Sequence, residues 1–149
     1  MKFKFKVQSF QTEAAESIVK VFAGQPKHEP FKYRRDIGHF EGQVQSKLEE
    51  QRDDFEIGYR NWDVVLSKGD ILNNIRSVQT HNNIKTSDKL EDGLGIVSLD
   101  VEMETGTGKT YCYIKTMFEL YKAYGWSKYI VVVPSIAIRE GVKKSYEIT

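Results

Sequence analysis

An α/β fold, with a parallel sheet and a βαβ unit, is what this 149-residue sequence predicts. Three observations predict it. Residues 96–103, IVSLDVEM, read as a strand running into a glycine-rich turn. From Lys109 to about Tyr124 the residues repeat with helical spacing, and Gly125 stops them. Residues 129–133, YIVVV, form a continuous and mostly β-branched run closed by Pro134, as in a strand buried on both faces of a parallel sheet. Strand, turn, helix and strand, with a 25-residue crossover at 104–128, make a βαβ unit.

Composition agrees with an ordinary globular domain. The chain is 40% hydrophobic and 29% charged, which sets it apart from disordered sequences. Its formal charge of +1 supplies no global basic field, so any nucleic-acid contact must come from a local basic face. A single cysteine, Cys112, rules out an internal disulfide and suits a reducing cytoplasm. No apolar run approaches the roughly 18 residues of a membrane helix, and MKFKFKVQ lacks the apolar core of a signal peptide. The expected location is cytoplasmic, with no membrane partner.

Taken in order, KFKFKV (2–7) alternates Phe3, Phe5 and Val7 with lysines, which predicts a half-buried edge strand. Thr12 is a candidate cap for a helix with Glu13 and Glu16 in its first turn. Ala15, Ile18, Val19 and Phe22 lie on one face of that helix, and Gly24 and Pro26 end it. The spacing also predicts a charged helix over 43–54 and extended structure over 55–65 around Gly58. Asp70 is a candidate cap for a helix lined by Ile71, Ile75 and Val78, and residues 80–95 are polar and turn-rich. On the helix from Lys109, the expected apolar stripe is Ile114, Met117, Phe118 and Tyr121. Three parts follow: a strand and helix at 1–26, an insertion or subdomain of mixed structure at 27–95, and a loop-bearing βαβ start at 96–149.

The chemistry concentrates at METGTGKT, residues 103–110. A phosphate-binding loop needs glycines so that backbone N–H groups can approach phosphate oxygens. It also needs a helix starting at once, whose N-terminal dipole favours an anion. A lysine then meets the β- and γ-phosphates, and a hydroxyl ligates Mg²⁺. Gly106, Gly108, Lys109 and Thr110 supply these parts, and the amides from Thr105 through Thr107 to Gly108 would cradle phosphate. The bland alternative is a glycine-rich turn before a helix, against which the placement after a strand argues. The strict pattern G-x-x-x-x-G-K-[ST] asks for glycine where Met103 stands. A non-glycine there, followed by T-G-x-G-K-T, is the motif I form of superfamily 2 helicases and translocases.

With that loop, Phe118-Glu119-Leu120, Tyr124-Gly125 and VVPSIAIREGV (132–142) follow at matching intervals. This run of about 45 residues resembles the start of the motor domain in the Res subunit of type III restriction enzymes. The likeness extends more loosely to ILNNIRSVQ (71–79) and the FQTEA helix. The resemblance implies a partial RecA-like P-loop NTPase fold in an ATP-driven motor that translocates on double-stranded DNA. In the full subunit the motor is joined to a nuclease and works with a methyltransferase (modification) subunit that recognises the site. ATP and Mg²⁺ are the implied cofactors, with Lys109 and Thr110 in the catalytic loop and Thr110 on the metal. PSIAIREG matches motif Ia, so Ser135 is a candidate contact to the DNA backbone or else a helix cap. Arg139 is a candidate phosphate contact or else a solvated arginine beside Glu140. Gln11 after Phe10 has the amide of an adenine reader, which donates to and accepts from the N6/N7 edge. It precedes Lys109 by 98 residues, against a few dozen in superfamily 2, so a plain surface glutamine is the other reading.

Hydrolysis by such motors uses a strand ending in Asp-Glu and arginines that stabilise transition-state charge. After Lys109 the acidic residues are Glu119, Glu140 and Glu147, none at the end of an apolar strand. No Asp-x-Lys or Glu-x-Lys tripeptide occurs, which removes the carboxylate–lysine core of many nucleases. His28, His39 and His81 have no metal-ligand spacing. The expectation is an N-terminal piece of a longer enzyme subunit, able to hold phosphates and inactive by itself. Rival readings are a small P-loop kinase and a non-catalytic P-loop or protein-interaction module.

Overall fold

The computed structural model describes residues 8–29, 31–34, 57–91, 93 and 95–148. Among them are four helices and one two-stranded antiparallel ribbon. The helices are α1 (Ser9–Val21), α2 (Lys68–His81), α3 (Lys109–Tyr124) and α4 (Ile136–Ile148). The ribbon pairs β1 (Phe31–Arg34) with β2 (Ile57–Arg60), Phe31 opposite Arg60 and Arg34 opposite Ile57. The expected strand at 2–7 and helix at 43–54 lie outside the described residues.

The expected parallel sheet and βαβ unit, and with them the partial RecA-like architecture, are contradicted. Neither 96–103 nor 129–133 belongs to a strand, and no described segment completes a ladder with either. Ile130 and Val132 are 89% and 87% exposed, where a doubly covered strand would bury them. The reason is physical: β-branched residues supply propensity, but a strand exists only once a neighbour takes up its N–H and C=O groups.

Helix α1 begins three residues before the candidate cap Thr12. Gln8 is the N-cap, and its N–H donates to Gln11 Oε1 at 3.3 Å. Helix α2 is likewise capped by an earlier residue, Ser67, whose hydroxyl accepts from Asp70 N–H at 3.1 Å. The Asp70 carboxylate answers by accepting from Ser67 N–H at 3.1 Å, a reciprocal box that places Asp70 in the first turn instead of at the cap. That hydrogen bonding, from the Ser67 hydroxyl first, holds the Asp70 carboxyl below its ordinary range.

Three helices pack together. Gln11 meets Thr107 and Cys112 at one end, and the Tyr124 hydroxyl donates to Val19 O at 2.8 Å at the other. Helices α1 and α3 therefore run side by side in the same direction. Asn74 Nδ2, in the middle of α2, donates to Val21 O and Ala23 O at 3.0 Å. At the far end Asn82 reaches back to Ser17, so α2 is antiparallel to α1. The core holds Ala15, Val21, Ile71, Cys112, Ile114, Leu120, Tyr124 and Trp126.

The buried face of α3 is not the expected stripe. Cys112, Thr116, Leu120 and Tyr124, spaced four apart, are buried with Ile114, whereas Phe118 and Tyr121 are 55% and 48% exposed. The i, i+4 row has won because α1 lies along it. Below that row, Phe22 meets Trp126 edge to face, with ring centroids 5.0 Å apart.

The segments flanking the ribbon are pinned to the turn after α3. Asn61 Oδ1 accepts from the amides of Ser127 and Lys128, and its Nδ2 donates to Lys128 O at 2.7 Å. Buried Gln25 donates to Asp63 O and accepts from Val65 N–H. Trp62 donates to Glu29 O and lies under the His28 ring, and Trp126 donates to Trp62 O. Residues 61–66 are thereby fastened to the segments that follow α1 and α3.

Candidate functional site: a glycine loop at the start of α3

Residues 104–108 turn into α3 through two glycines. Gly106 and Gly108 have φ of +82° and +86°, the left-handed region that L side chains avoid. Met103 has no positive φ and is half-buried, so an apolar side chain fits where the strict pattern asks for glycine. The turn is closed by Glu104 O, which accepts from the Thr107 hydroxyl at 2.6 Å and from Thr107 N–H at 3.4 Å. Among the described residues, the amides of Thr105, Gly106, Gly108, Lys109 and Thr110 donate to no protein carbonyl. Five N–H groups thus stand uncommitted around a helix start.

The charges there conflict with the helix dipole. Helix α3 opens on Lys109, with no acidic residue in its first turn. A cation at the positive end of a helix is unfavourable by itself, and an anion would reverse the sign. Lys109 is exposed and makes no ion pair among the described residues. The Thr110 hydroxyl differs from those of Thr107 and Thr116, which donate to the backbone carbonyls of Glu104 and Cys112. Thr110 makes no such bond among the described residues, so its oxygen is available. That suits Mg²⁺, which keeps several waters and takes its other ligands from substrate phosphates. Among the described residues no cluster of three His, Cys, Asp or Glu could hold a metal without a ligand.

Gln11 reaches the loop although it is 96 residues from Thr107. Its Nε2 donates to Thr107 O at 2.8 Å. Next to it, the thiol of Cys112 is buried and lies 3.8 Å from Gln11 O. Burial pushes that thiol up, which makes Cys112 a packing group and a poor nucleophile.

The motif Ia candidates lie on α4. The Ser135 hydroxyl accepts from Ile138 N–H at 3.3 Å, and Ser135 O accepts from Arg139 N–H, which makes Ser135 the cap of this helix. Arg139 forms an exposed pair with Glu140 at 3.0 Å. Arg139 and Lys143 also line an open groove of about 350 Å³ with Val131, Val133, Val142 and Tyr146. Glu119 is spoken for: it pairs with Lys122 at 3.1 Å and Lys115 at 3.3 Å on the surface of α3. The hydrogen bond from Lys122 is foremost in holding its carboxyl below the ordinary range.

A glycine turn that gathers free N–H groups at a helix start beside an unpaired lysine has the chemistry to accept an anion. The sequence comparisons show the family of the chain. Residues 4–149 match the family described as "Type III restriction enzyme, res subunit", and the chain belongs to that family. It is 44% identical over 81 residues to the Type III restriction-modification enzyme EcoP15I Res subunit of Escherichia coli, a match covering 54% of this chain and 8% of that one. Similarity to the EcoPI Res subunit of Escherichia phage P1 is 42% over 81 residues, covering the same shares. With the StyLTI Res subunit of Salmonella typhimurium it is 54% over 46 residues, covering 31% of this chain and 5% of that subunit. The matches thus span less than a tenth of these relatives. Among the described residues no helix is long and apolar enough to cross a membrane.

Proposed function

We propose that residues 103–110 bind the phosphates of ATP with Mg²⁺, as part of the ATP-driven DNA-translocating motor of a type III restriction endonuclease. The observation that carries this reading is the set of uncommitted amides at Thr105, Gly106, Gly108, Lys109 and Thr110. They surround a helix start whose first residue is an unpaired lysine. The amides would donate to the phosphate oxygens, and Lys109 would neutralise β/γ charge. Thr110 would ligate the metal, which when bound supplies charge stabilisation to the phosphoryl oxygens. With Glu119 held by two lysines and no apolar run ending in Asp-Glu, the 149 residues are proposed to hold nucleotide without turning it over. Turnover, cleavage and the methyltransferase partner belong, in this reading, to the whole enzyme.

The test is calorimetric titration of Mg-ATP into the 149-residue chain and into Lys109→Ala. Binding by the parent that is lost in a folded variant supports the site. Equal affinity in the two sinks it. Double-stranded DNA is proposed to meet α4 through Arg139, Lys143 and Lys144, with Ser135 at its start. That contact predicts weak binding whose affinity falls steeply between about 50 and 200 mM salt. Affinity independent of salt would remove the DNA reading.

A second reading is favoured by exposed Ile130, Val132 and Ile136, the last 73% exposed. Such an apolar surface suits a protein-interaction module. It would stand if the parent chain bound no nucleotide.

A further inference from the structure

The Gln11 amide is engaged at both ends. Its Nε2 donates to Thr107 O at 2.8 Å, and its Oε1 accepts from Gln8 N–H at 3.3 Å. Only this orientation satisfies both partners, since a carbonyl needs a donor and an N–H needs an acceptor. The amide also packs directly on the loop. A Cβ added to Gly108 would lie 2.6 Å from Gln11 Nε2.

Pinning the Thr107 carbonyl has a consequence one atom further on. The Thr107–Gly108 peptide is planar and trans, so fixing its C=O fixes the direction of the Gly108 N–H. Glycine at 108 would otherwise leave that peptide free to rotate, because no Cβ restricts φ. An adenine reader must turn both ends of its amide to the base. Here one end faces the loop and the other the first turn of α1.

We infer that Gln11 is a positioning residue that holds the Gly108 amide ready for phosphate, and that it acts alike on any nucleoside triphosphate. The inference rests on the phosphate-site reading of residues 103–110 and deepens it. Its selectivity is for the triphosphate and not the base.

The experiment titrates Mg-ATP, Mg-GTP and Mg-tripolyphosphate into the 149-residue chain and into Gln11→Met and Gln11→Ala. Methionine keeps length and adds no charge, but neither donates nor accepts as an amide does. The expected result is that both variants weaken all three ligands by the same factor, roughly tenfold for one lost positioning hydrogen bond. In the ligand-free Gln11→Met chain the ¹H–¹⁵N resonance of Gly108 moves while that of Gly125 stays, a signature that general destabilisation would not give. Weakening confined to ATP overturns the inference and makes Gln11 an adenine reader. Unchanged affinities in the variants, with the parent binding, overturn the inference alone. A parent chain that binds none of the three overturns the phosphate-site reading and the inference with it.

Discussion

Gly125 shows how a single residue can be held by two unrelated demands. Its φ of +77° favours glycine, and its N–H closes α3 on Tyr121 O at 2.8 Å. A Cβ there would also run into the carbonyl of His28. Gly95, with φ of +102°, has no atom within 4 Å of the same position. Gly125→Ala is therefore expected to cost about 2–5 kcal/mol, the left-handed penalty plus overpacking, against about 1–2 for Gly95→Ala. Urea unfolding of the two variants checks this, and equal losses would show that the His28 contact is relieved easily. The helix stop at Gly125 could be read from the sequence. Its second demand could not, because His28 is brought there by the hydrogen bond from its N–H to Tyr124 O. Gln25 is a parallel case, its partners Asp63 and Val65 lying 38 and 40 residues away.

At the scale of elements, the helices at α1, α2 and α3 were legible, and so was the extended run around Gly58, which forms β2, whereas the expected strands at 96–103 and 129–133 are not formed. Helix α3 spans Lys109–Tyr124, as its spacing and its glycine stop predict. A helix satisfies its backbone within its own sequence, so local signals carry most of the information. Caps were less legible, because Ser67 lies three residues before Asp70 and Gln8 four before Thr12, the residues that look like caps. In both cases the polar residue at the third helical position, Asp70 or Gln11, pairs backward with the cap. Residues 129–133 have the composition of a buried strand and no ladder among the described residues. Which residues of α3 face inward was also undetermined locally. The expected stripe of Ile114, Met117, Phe118 and Tyr121 gave way to the row from Cys112 to Tyr124, along which α1 lies.

For the molecule as a whole, the join between α3 and the turn that follows it has a distinct pH signature. The Tyr129 hydroxyl lies 2.8 Å from Trp126 O and 3.0 Å from Met117 O. Burial pushes its ionisation up to about 12, from about 10 in an unfolded chain. Between those values the folded chain keeps a proton that the unfolded chain has lost. Stability from Tyr129 is therefore full below about pH 10 and falls away toward pH 12. Burial pushes Tyr124 and Tyr146 in the same direction. Urea midpoints are expected to be level up to about pH 9 and to fall above pH 10, less steeply in Tyr129→Phe. An identical fall in that variant would assign the effect to the other tyrosines.

The sequence by itself determined the turn and the helix start, since METGTGKT carries its glycines, lysine and hydroxyl within eight residues. The resemblance to the Res subunits rested on that loop together with the matching residues after it, out to Val142, and the family match bears the resemblance out. Only the tertiary structure decided that Gln11 lies against Gly108, that α1 and α3 run in parallel, and that residues 61–66 are fastened to the segments following those helices. Those facts depend on contacts between segments tens of residues apart. No window of sequence contains both partners, so packing had to choose among faces and neighbours that local propensity left equivalent.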